Sequence, residues 1–460
     1  MAGLLIFITN FAGIFMLLKC FNLHNLSYFC FFLRVLALNS RIYKREPMPW
    51  TRFKPLIPLF IILVLCTCID PYTPKISGTK SYLVVQGLIT DENASYEVKL
   101  SRTIQSENSI PETVNDATLF ITDEAGNRTS LSNAGSGIYK TDSTIFRGVS
   151  GKSYTLHIST GNENEYISAP CLMLPVPDID SIYYEKDEEI TNNQTETQQG
   201  IRIFLDSKEG DENNRYFRWE FVETWKFRVP MPRKFNFIDS AHIPTLPVEE
   251  VKEYCWKQRK SSEILVKSFS SGQAHIVKKE PIFFIASDKS DRLSLEYSIL
   301  IKQYSISKKE SDFWNNLKQV NEGGGDIFDP QPFPVISNIY NLNNPGDQVL
   351  GYFQVSSVKT KRKFIPFSEM VPLNLPFFQP DCKRIEVSPE DYPSPPYGPP
   401  MTWDRLYRMF LFLPDRYTFV EPLFYQGTAS LKKLVFTSPE CSNCEVTGTS
   451  KKPDFWIDLN

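Results

Sequence analysis

The sequence predicts a mainly β protein, with an N-terminal β-sandwich of the Ig-like or transthyretin-like type. A larger β-rich domain with one short helix, at about 307–322, is expected to follow. Two observations support this fold class. Aromatic residues make up 13% of the chain and prolines number 33, which is typical of strands joined by turns. Short apolar segments recur between turn signals, whereas long amphipathic helical runs and internal repeats are absent.

The predicted sandwich covers residues 80–175 and consists of short strands separated by turns. Its strand candidates are either β-branched and apolar or alternate between apolar and polar side chains. The segments that we expect to form strands are 82–89, 95–101, 117–122, 137–139 and 153–158. Strands of this length at this spacing are typical of a sandwich.

The second predicted domain covers residues 176–460 and includes strands at 201–205 and 215–229. Side chains at every second position of a strand share one face. In the second strand that face carries Phe217, Trp219, Phe221, Glu223, Trp225 and Phe227. A carboxylate inside such an aromatic wall must be paired or protonated. We expect Glu223 to form a buried ion pair with an Arg or Lys of a neighbouring strand, and a tuned catalytic acid is the alternative.

A strand predicted at 293–306 leads directly into the predicted helix. Ser307 and Glu310 have the spacing of a capping box, apolar residues follow at helical spacing, and three glycines from Gly323 end the helix. The chain is proline-rich from 366 to 400. We expect an irregular connection over the sheet there, with polyproline recognition as the alternative.

The end of an apolar segment carries the pattern of a lipoprotein signal, Leu65-Cys-Thr-Cys68. The apolar stretch that begins at Pro55 has the length of a signal-peptide core and is too short to cross a bilayer. Arg52 and Lys54 supply the positive charge that precedes such a core. We therefore expect cleavage before Cys68 and acylation of this cysteine, for example with palmitate. An ordinary secretory signal with an incidental cysteine is the alternative.

This signal also predicts how the N-terminal region is divided. With Met48 as the true start, the signal peptide is 48–67 and a tether at 68–79 leads into the sandwich. Residues 1–47 are then a mis-assigned upstream translation, and an N-terminal membrane helix is the alternative.

An exported protein can form disulfides, and the chain after Cys68 offers an odd number of candidates. They are Cys171, Cys255, Cys382, Cys441 and Cys444. At least one is therefore expected to stay free or to pair outside the chain. We expect Cys382 to pair with Cys441 or Cys444, which would fix the C-terminal tail to the proline-rich segment.

Composition and motifs argue against several functional classes. A formal net charge of −3 argues against nucleic acid as a partner. A single Cys-x-x-Cys and isolated histidines do not supply a metal site, so no metal and no cofactor are expected. The chain contains no nucleophile motif such as Gly-x-Ser-x-Gly and no placed pair of catalytic carboxylates. We therefore expect that the protein is not an enzyme.

A series of longer motifs, taken together, is specific enough to suggest a family. They are Cys68-Ile-Asp-Pro-Tyr, Leu83-Val-Val-Gln-Gly, residues 218–227, Tyr254-Cys-Trp, residues 292–304, Phe328-Asp-Pro-Gln-Pro, residues 344–353, Lys361-Arg362, Cys441-x-x-Cys444 and Lys452-Pro-Asp-Phe-Trp. This set resembles the outer-membrane lipoproteins of the Bacteroidota type called domain of unknown function 4249.

The resemblance implies a cellular setting, because the family has no established reaction. It implies an outer-membrane location, on the periplasmic or the exposed face, and company with a TonB-dependent receptor that imports nutrients. We therefore expect a lipid-anchored accessory or binding protein of the cell envelope. A structural or adhesive surface lipoprotein is the second hypothesis, and an enzyme of unknown reaction is the third.

Overall fold

The computed structural model describes most of the chain from residue 81 onward. The described residues are 81–103, 110–161, 164–190, 196–210, 215–269, 276–322, 335–392 and 398–459. Segment 1–47, the predicted signal peptide, the tether and Cys68 lie outside them. Residues Thr79–Asn460 form one compact unit. The prediction of a mainly β fold is confirmed.

The N-terminal part of this unit contains eight strands. They are β1 (Leu83–Ile89), β2 (Glu97–Arg102), β3 (Thr118–Asp123), β4 (Arg128–Gly135), β5 (Ile138–Lys140), β6 (Ser153–Ser159), β7 (Glu165–Ser168) and β8 (Cys171–Leu172). The predicted segments match β1, β2, β3, β5 and β6. Buried and exposed side chains alternate along β1 and β6, as expected for strands with one face on a core.

The central part contains seven strands and the predicted helix. The strands are β9 (Ile179–Ile190), β10 (Thr197–Ser207), β11 (Tyr216–Arg228), β12 (Tyr254–Lys260), β13 (Leu265–Ser268), β14 (Glu280–Ala286) and β15 (Glu296–Ser305). Helix α1 (Lys308–Glu322) follows β15 and agrees closely with the predicted helix.

The C-terminal part adds six strands and three short helices. In chain order they are β16 (Ile339–Asn341), β17 (Val349–Val355), β18 (Val358–Pro366), α2 (Phe367–Met370), β19 (Ile385–Val387), α3 (Trp403–Leu411), β20 (Thr418–Phe424), β21 (Leu431–Thr437) and α4 (Pro439–Ser442). The sequence predicted α1 alone, so the expectation of one helix missed α2, α3 and α4.

The first sheet contains ten strands, ordered β16-β7-β6-β3-β4-β5-β2-β1-β17 with β8 beside β6. Strand β17 is parallel to β1, and β16 is antiparallel to β7. Both of these strands belong to the range 176–460, which the sequence assigned to the second domain. The predicted boundary at 175 is therefore corrected: the chain returns to the first sheet after α1 and completes it.

The two end strands of this sheet meet at Asn338. The Asn338 side-chain amide donates a hydrogen bond to the Phe353 carbonyl at 2.8 Å, and its oxygen accepts one from the Phe353 N–H at 2.9 Å. A neighbouring strand would make the same pair of bonds. The sheet thus closes around one core that includes Val85, Leu119 and Phe353, and the layers of the predicted sandwich are parts of one continuous sheet.

Two further sheets enclose the second core. One is ordered β14-β10-β9, and the other is ordered β12-β11-β15-β18 with β13 beside β11. The aromatic face predicted for β11 lies in this core, where it meets Ile201, Ile203 and Leu205 of β10. Met370 and Leu375 of the proline-rich segment also enter this core, so this part of the segment packs on the sheet as expected. The segment is not wholly irregular, because it contains α2 and β19.

A third, smaller core forms near the C-terminus. It lies on the sheet ordered β19-β21-β20, against which α3 packs. Leu406 and Phe410 of α3 are buried there, and the rings of Phe410 and Phe436 stack with their centroids 4.4 Å apart.

Candidate functional site

Glu223 lies in the middle of β11 and its side chain is 0% exposed. Its Oε2 accepts a hydrogen bond from Arg259 Nε at 2.6 Å, and Arg259 faces it directly on β12. Its Oε1 accepts a hydrogen bond from the Tyr297 hydroxyl at 2.8 Å and lies 3.2 Å from Arg292 Nε. The structure therefore places Glu223 in a buried ion pair, and a neighbouring strand supplies the base.

The surroundings of Glu223 hold its carboxylate in place. Burial and the Glu223 charge raise the pKa of Tyr297 well above its ordinary value, so the phenol keeps its proton and donates a hydrogen bond to Glu223. Arg259 and Arg292 bring two positive charges to the same carboxylate. Because both oxygens are already paired and inaccessible to solvent, this cluster offers no acceptor to a substrate, and removal of its arginines would leave an uncompensated buried charge.

The structure joins four of the five described cysteines. Cys382 is bonded to Cys441, one of the two pairings left open by the sequence. Cys444 is bonded to Cys255 of β12, a pairing that the sequence did not predict. Cys171 is the free cysteine. The two disulfides attach α4 and the residues that follow it to the proline-rich segment and to β12.

A cavity of about 610 Å³ lies between the first turns of α1 and the edge of the first sheet. Its walls come from α1, the turn before β8, and strands β16 and β17. Leu172, Ile336 and Tyr340 line it and are 48%, 70% and 54% exposed. We call this space the helix cavity.

The start of α1 is held against the sheet by its own sequence. The Ser307 hydroxyl accepts a hydrogen bond from the Glu310 N–H at 3.2 Å, which is the first half of the predicted capping box. The Phe313 ring packs on Tyr352 of β17 with centroids 4.8 Å apart. These contacts turn the Glu310 side chain toward the protein.

Glu310 lines the helix cavity, yet it is only 3% exposed. Within the described residues, its Oε1 has no hydrogen-bond partner. Burial raises the pKa of this carboxyl group to about 7, although the charge of Arg218 and the indole N–H of Trp314 act in the opposite direction. Glu310 therefore exchanges its proton near neutral pH, where a surface glutamate is fully ionised.

Arg218 does not form an ion pair with Glu310 in the described part of the chain. Its guanidinium lies over the rings of Tyr304 and Trp314, 4.5 and 4.7 Å from their centroids. Its Nη1 donates a hydrogen bond to Glu220 Oε1 at 2.5 Å, and the two side chains form an ion pair. The positive charge is thus shared between Glu220 and two aromatic faces, and Glu310 has no ion-pair partner within 4 Å among the described residues.

Two other titratable groups on the cavity wall keep their protons. Burial, followed by the Glu310 charge, raises the pKa of the Cys171 thiol to about 12. The same two causes raise the pKa of Tyr352 above its ordinary value. Cys171 also accepts a hydrogen bond from the Asn338 amide at 3.2 Å. A buried neutral thiol is a poor nucleophile, so the geometry favours binding at this wall over covalent chemistry.

Within the described ranges, no group of three or more His, Cys, Asp and Glu side chains is arranged to hold a metal ion. Among the described helices, none is long and apolar enough to span a membrane.

Sequence reasoning identified Glu223 but gave Glu310 only a capping role. The capping box is a local pattern, whereas the cavity wall is built by β16 and β17, which return from far along the chain. One signal was available in the helix itself. Glu310, Phe313 and Leu317 lie three and four residues apart and therefore share one helix face, which places a carboxyl group on the apolar side.

The fold and these two acidic sites define a mainly β protein with a ligand-sized cavity. The family described as "Domain of unknown function (DUF4249)" matches residues 69–362, more than half of the chain. The chain belongs to this family. The matched range contains both Glu223 and Glu310. No curated protein matches the chain.

Among solved structures, a biofilm-associated protein BSP domain is similar at 6% sequence identity. The match covers 64% of this chain and 63% of that structure, so it spans less than two thirds of that structure's length, with a TM-score of 0.10. A likeness at this level carries no argument about fold or function.

Proposed function

We propose that the protein is a lipid-anchored accessory protein of the cell envelope that binds a small ligand in the helix cavity. It works with a TonB-dependent receptor of the outer membrane in nutrient uptake. The observation that carries this proposal is the cavity of about 610 Å³ with exposed apolar walls and an unpaired buried acid.

The cavity supports binding because its size and lining suit a small molecule. Ligand pockets of about 300–1,000 Å³ with apolar walls and a few polar groups are common in binding proteins. A buried carboxyl oxygen without a partner costs stability, so its presence in such a wall supports a binding role. The structural or adhesive hypothesis does not account for an unpaired acid beside a cavity.

The envelope setting is supported by the sequence around Cys68 and by the family. A basic segment, a short apolar core and the Leu65–Cys68 pattern suit lipid attachment. Lipid attachment would hold the compact unit beside a membrane receptor, where a captured ligand can be handed over. The signal pattern and the family support only the location of the protein, whereas the cavity supports the proposed binding of a ligand.

Lipid attachment is tested by detergent phase partitioning of the whole protein from the cell envelope. We expect Cys68→Ser to move the protein from the detergent phase to the aqueous phase. Cys171→Ser is the matched control, because it removes the free cysteine of the folded unit and leaves the anchor. Equal partitioning of the Cys68→Ser variant and the unchanged protein would contradict the anchor.

The partnership is tested by affinity purification of the tagged protein from solubilised outer membrane. We expect a β-barrel receptor of the TonB-dependent class to be enriched with the unchanged protein. Cys68→Ser serves as the control for capture that depends on membrane attachment. Purification without any such receptor would count against the partnership.

A further inference from the structure

The chemistry of the helix cavity narrows the class of ligand, an inference that rests on the proposed function. We propose that the ligand is a small organic anion with an apolar body. Two features of the cavity carry this inference: an exposed apolar wall and a mouth with two unpaired lysines.

The apolar wall is formed by side chains that remain exposed at the cavity. Leu172, Ile336 and Tyr340 line it together with the more buried Phe313 and Tyr352. A single exposed apolar residue is ordinary, but several around one cavity form a patch that favours an apolar ligand. The wall therefore receives the body of the ligand.

The charged mouth lies at the first turns of α1. Lys308 and Lys309 are exposed there, line the cavity and have no ion-pair partner among the residues that the structure describes. Asp312 is the acidic residue on the same rim, which leaves an excess of one positive charge while Glu310 is protonated. The positively polarised start of α1 acts in the same direction. An anionic group is thus favoured at this end of the cavity.

Glu310 keeps the cavity suitable for an anion as long as it is protonated. The groups that act on it are Arg218 of β11, Trp314 of α1, Cys171 of β8 and Tyr352 of β17. The raised pKa values of the Cys171 thiol and the Tyr352 phenol keep both groups neutral through the neutral pH range. Raising the pH through 7 therefore adds one negative charge at this wall, that of Glu310, and weakens the binding of an anion.

Two fluorescent probes with the same aromatic body test the ligand class. Anilinonaphthalene sulfonate is an anion, and N-phenylnaphthylamine is its neutral counterpart. With the full chain carrying Cys68→Ser, we expect the anion to bind more tightly at pH 6. The double variant Lys308→Ala/Lys309→Ala should weaken anion binding about fivefold and leave the neutral probe unchanged. Tyr340→Ala should weaken both probes about fivefold.

Two controls separate this inference from the proposed function. Lys308→Arg/Lys309→Arg keeps the charge and should restore anion binding, and Phe412→Ser removes an exposed apolar side chain elsewhere and should change neither probe. Equal affinity for both probes, or no effect of the double alanine variant, would overturn the ligand class while leaving the cavity as a binding site. Binding that is insensitive to Tyr340→Ala would overturn the use of the cavity itself.

Discussion

Glu223 and Glu310 are both buried glutamates, and the difference between them lies in their partners. Both oxygens of Glu223 have partners, which are two arginines and a tyrosine. Glu310 is buried almost as deeply, but its Oε1 is without a partner in the described chain. One acid lies between the strands of a sheet, whereas the other lines a cavity.

The comparison shows that burial alone does not distinguish a structural acid from a functional one. A fully paired carboxylate contributes to the fold and offers nothing to a ligand. A buried carboxyl oxygen without a partner costs stability, and the proposed ligand binding would account for its place beside an open cavity. Variants that disturb one acid and spare the other therefore separate stability from binding.

The largest effect should come from removing the disulfide that crosslinks β12, the strand paired with β11 at Glu223. Cys255 lies on β12, the strand that carries Arg259, and its disulfide to Cys444 closes a sequence separation of 189 residues. The loss of this crosslink is expected to cost about 5 kcal/mol through the freedom of the unfolded chain. Urea unfolding of Cys255→Ala/Cys444→Ala measures the loss.

The matched control is Cys382→Ala/Cys441→Ala, which opens a separation of 59 residues and should cost about 4 kcal/mol. Hydrogen exchange should show that the first variant increases opening of β12 while the first sheet stays protected. If the first variant lowered protection equally in β12 and in the first sheet, the effect of this disulfide would not be confined to the part of the molecule around Glu223.

The next effect tests whether Glu223 depends on its arginines. Arg259→Met/Arg292→Met leaves a carboxylate buried without a cationic partner, and we expect a loss of about 4 kcal/mol in the free energy of unfolding at pH 7. Glu223→Gln should cost less, because it leaves arginines that reach solvent. A smaller loss in the double arginine variant than in Glu223→Gln would refute a structural ion pair.

Glu310 should affect stability in a pH-dependent way. Its pKa is raised from 4.5 to about 7 in the folded protein, so the fold disfavours the ionised form. The contribution of Glu310 to stability should therefore fall as pH rises from about 4.5 to about 7 and level off above. Relative to wild type, Glu310→Gln should gain about 3 kcal/mol between pH 4.5 and pH 8, measured by urea unfolding. A difference that does not change with pH would contradict the raised pKa.

The smallest effect comes from the exposed neighbour of the Glu223 cluster. Glu263 lies 3.3 Å from Arg259 Nη2, and both side chains are about one third exposed. We expect Glu263→Gln to cost less than about 1 kcal/mol, because solvent screens this pair. If Glu263→Gln lowered the free energy of unfolding as much as the double arginine variant, the exposed Glu263–Arg259 pair would matter as much as the buried pairs of Glu223.

The sequence predicted the local elements well, because their signals are local. Short apolar or alternating segments predicted β1, β2, β3, β5 and β6. The aromatic face of β11 predicted that this strand is buried, and the capping residue Ser307 predicted where α1 begins. The carboxylate within that aromatic face also pointed to an ion pair. A residue's own neighbours in sequence carry enough information for each of these inferences.

The sequence did not predict features that depend on distant pairings. The parallel pairing of β17 with β1 joins segments more than two hundred residues apart, and turn and alternation patterns carry no signal for it. The same return brings Asn338 and Tyr352 beside α1, builds the helix cavity and buries Glu310. Cys255–Cys444 was missed for the same reason, since the odd number of cysteines left several pairings open.

The most direct test of this account compares anion binding by the two acid variants. The dissociation constant of anilinonaphthalene sulfonate should rise about threefold or more between pH 6 and pH 8 in the wild-type protein, because Glu310 becomes charged. We expect this rise to vanish in Glu310→Gln and to persist in Glu223→Gln. Loss of the pH dependence in Glu223→Gln, with its persistence in Glu310→Gln, would contradict the assignment of the two acids.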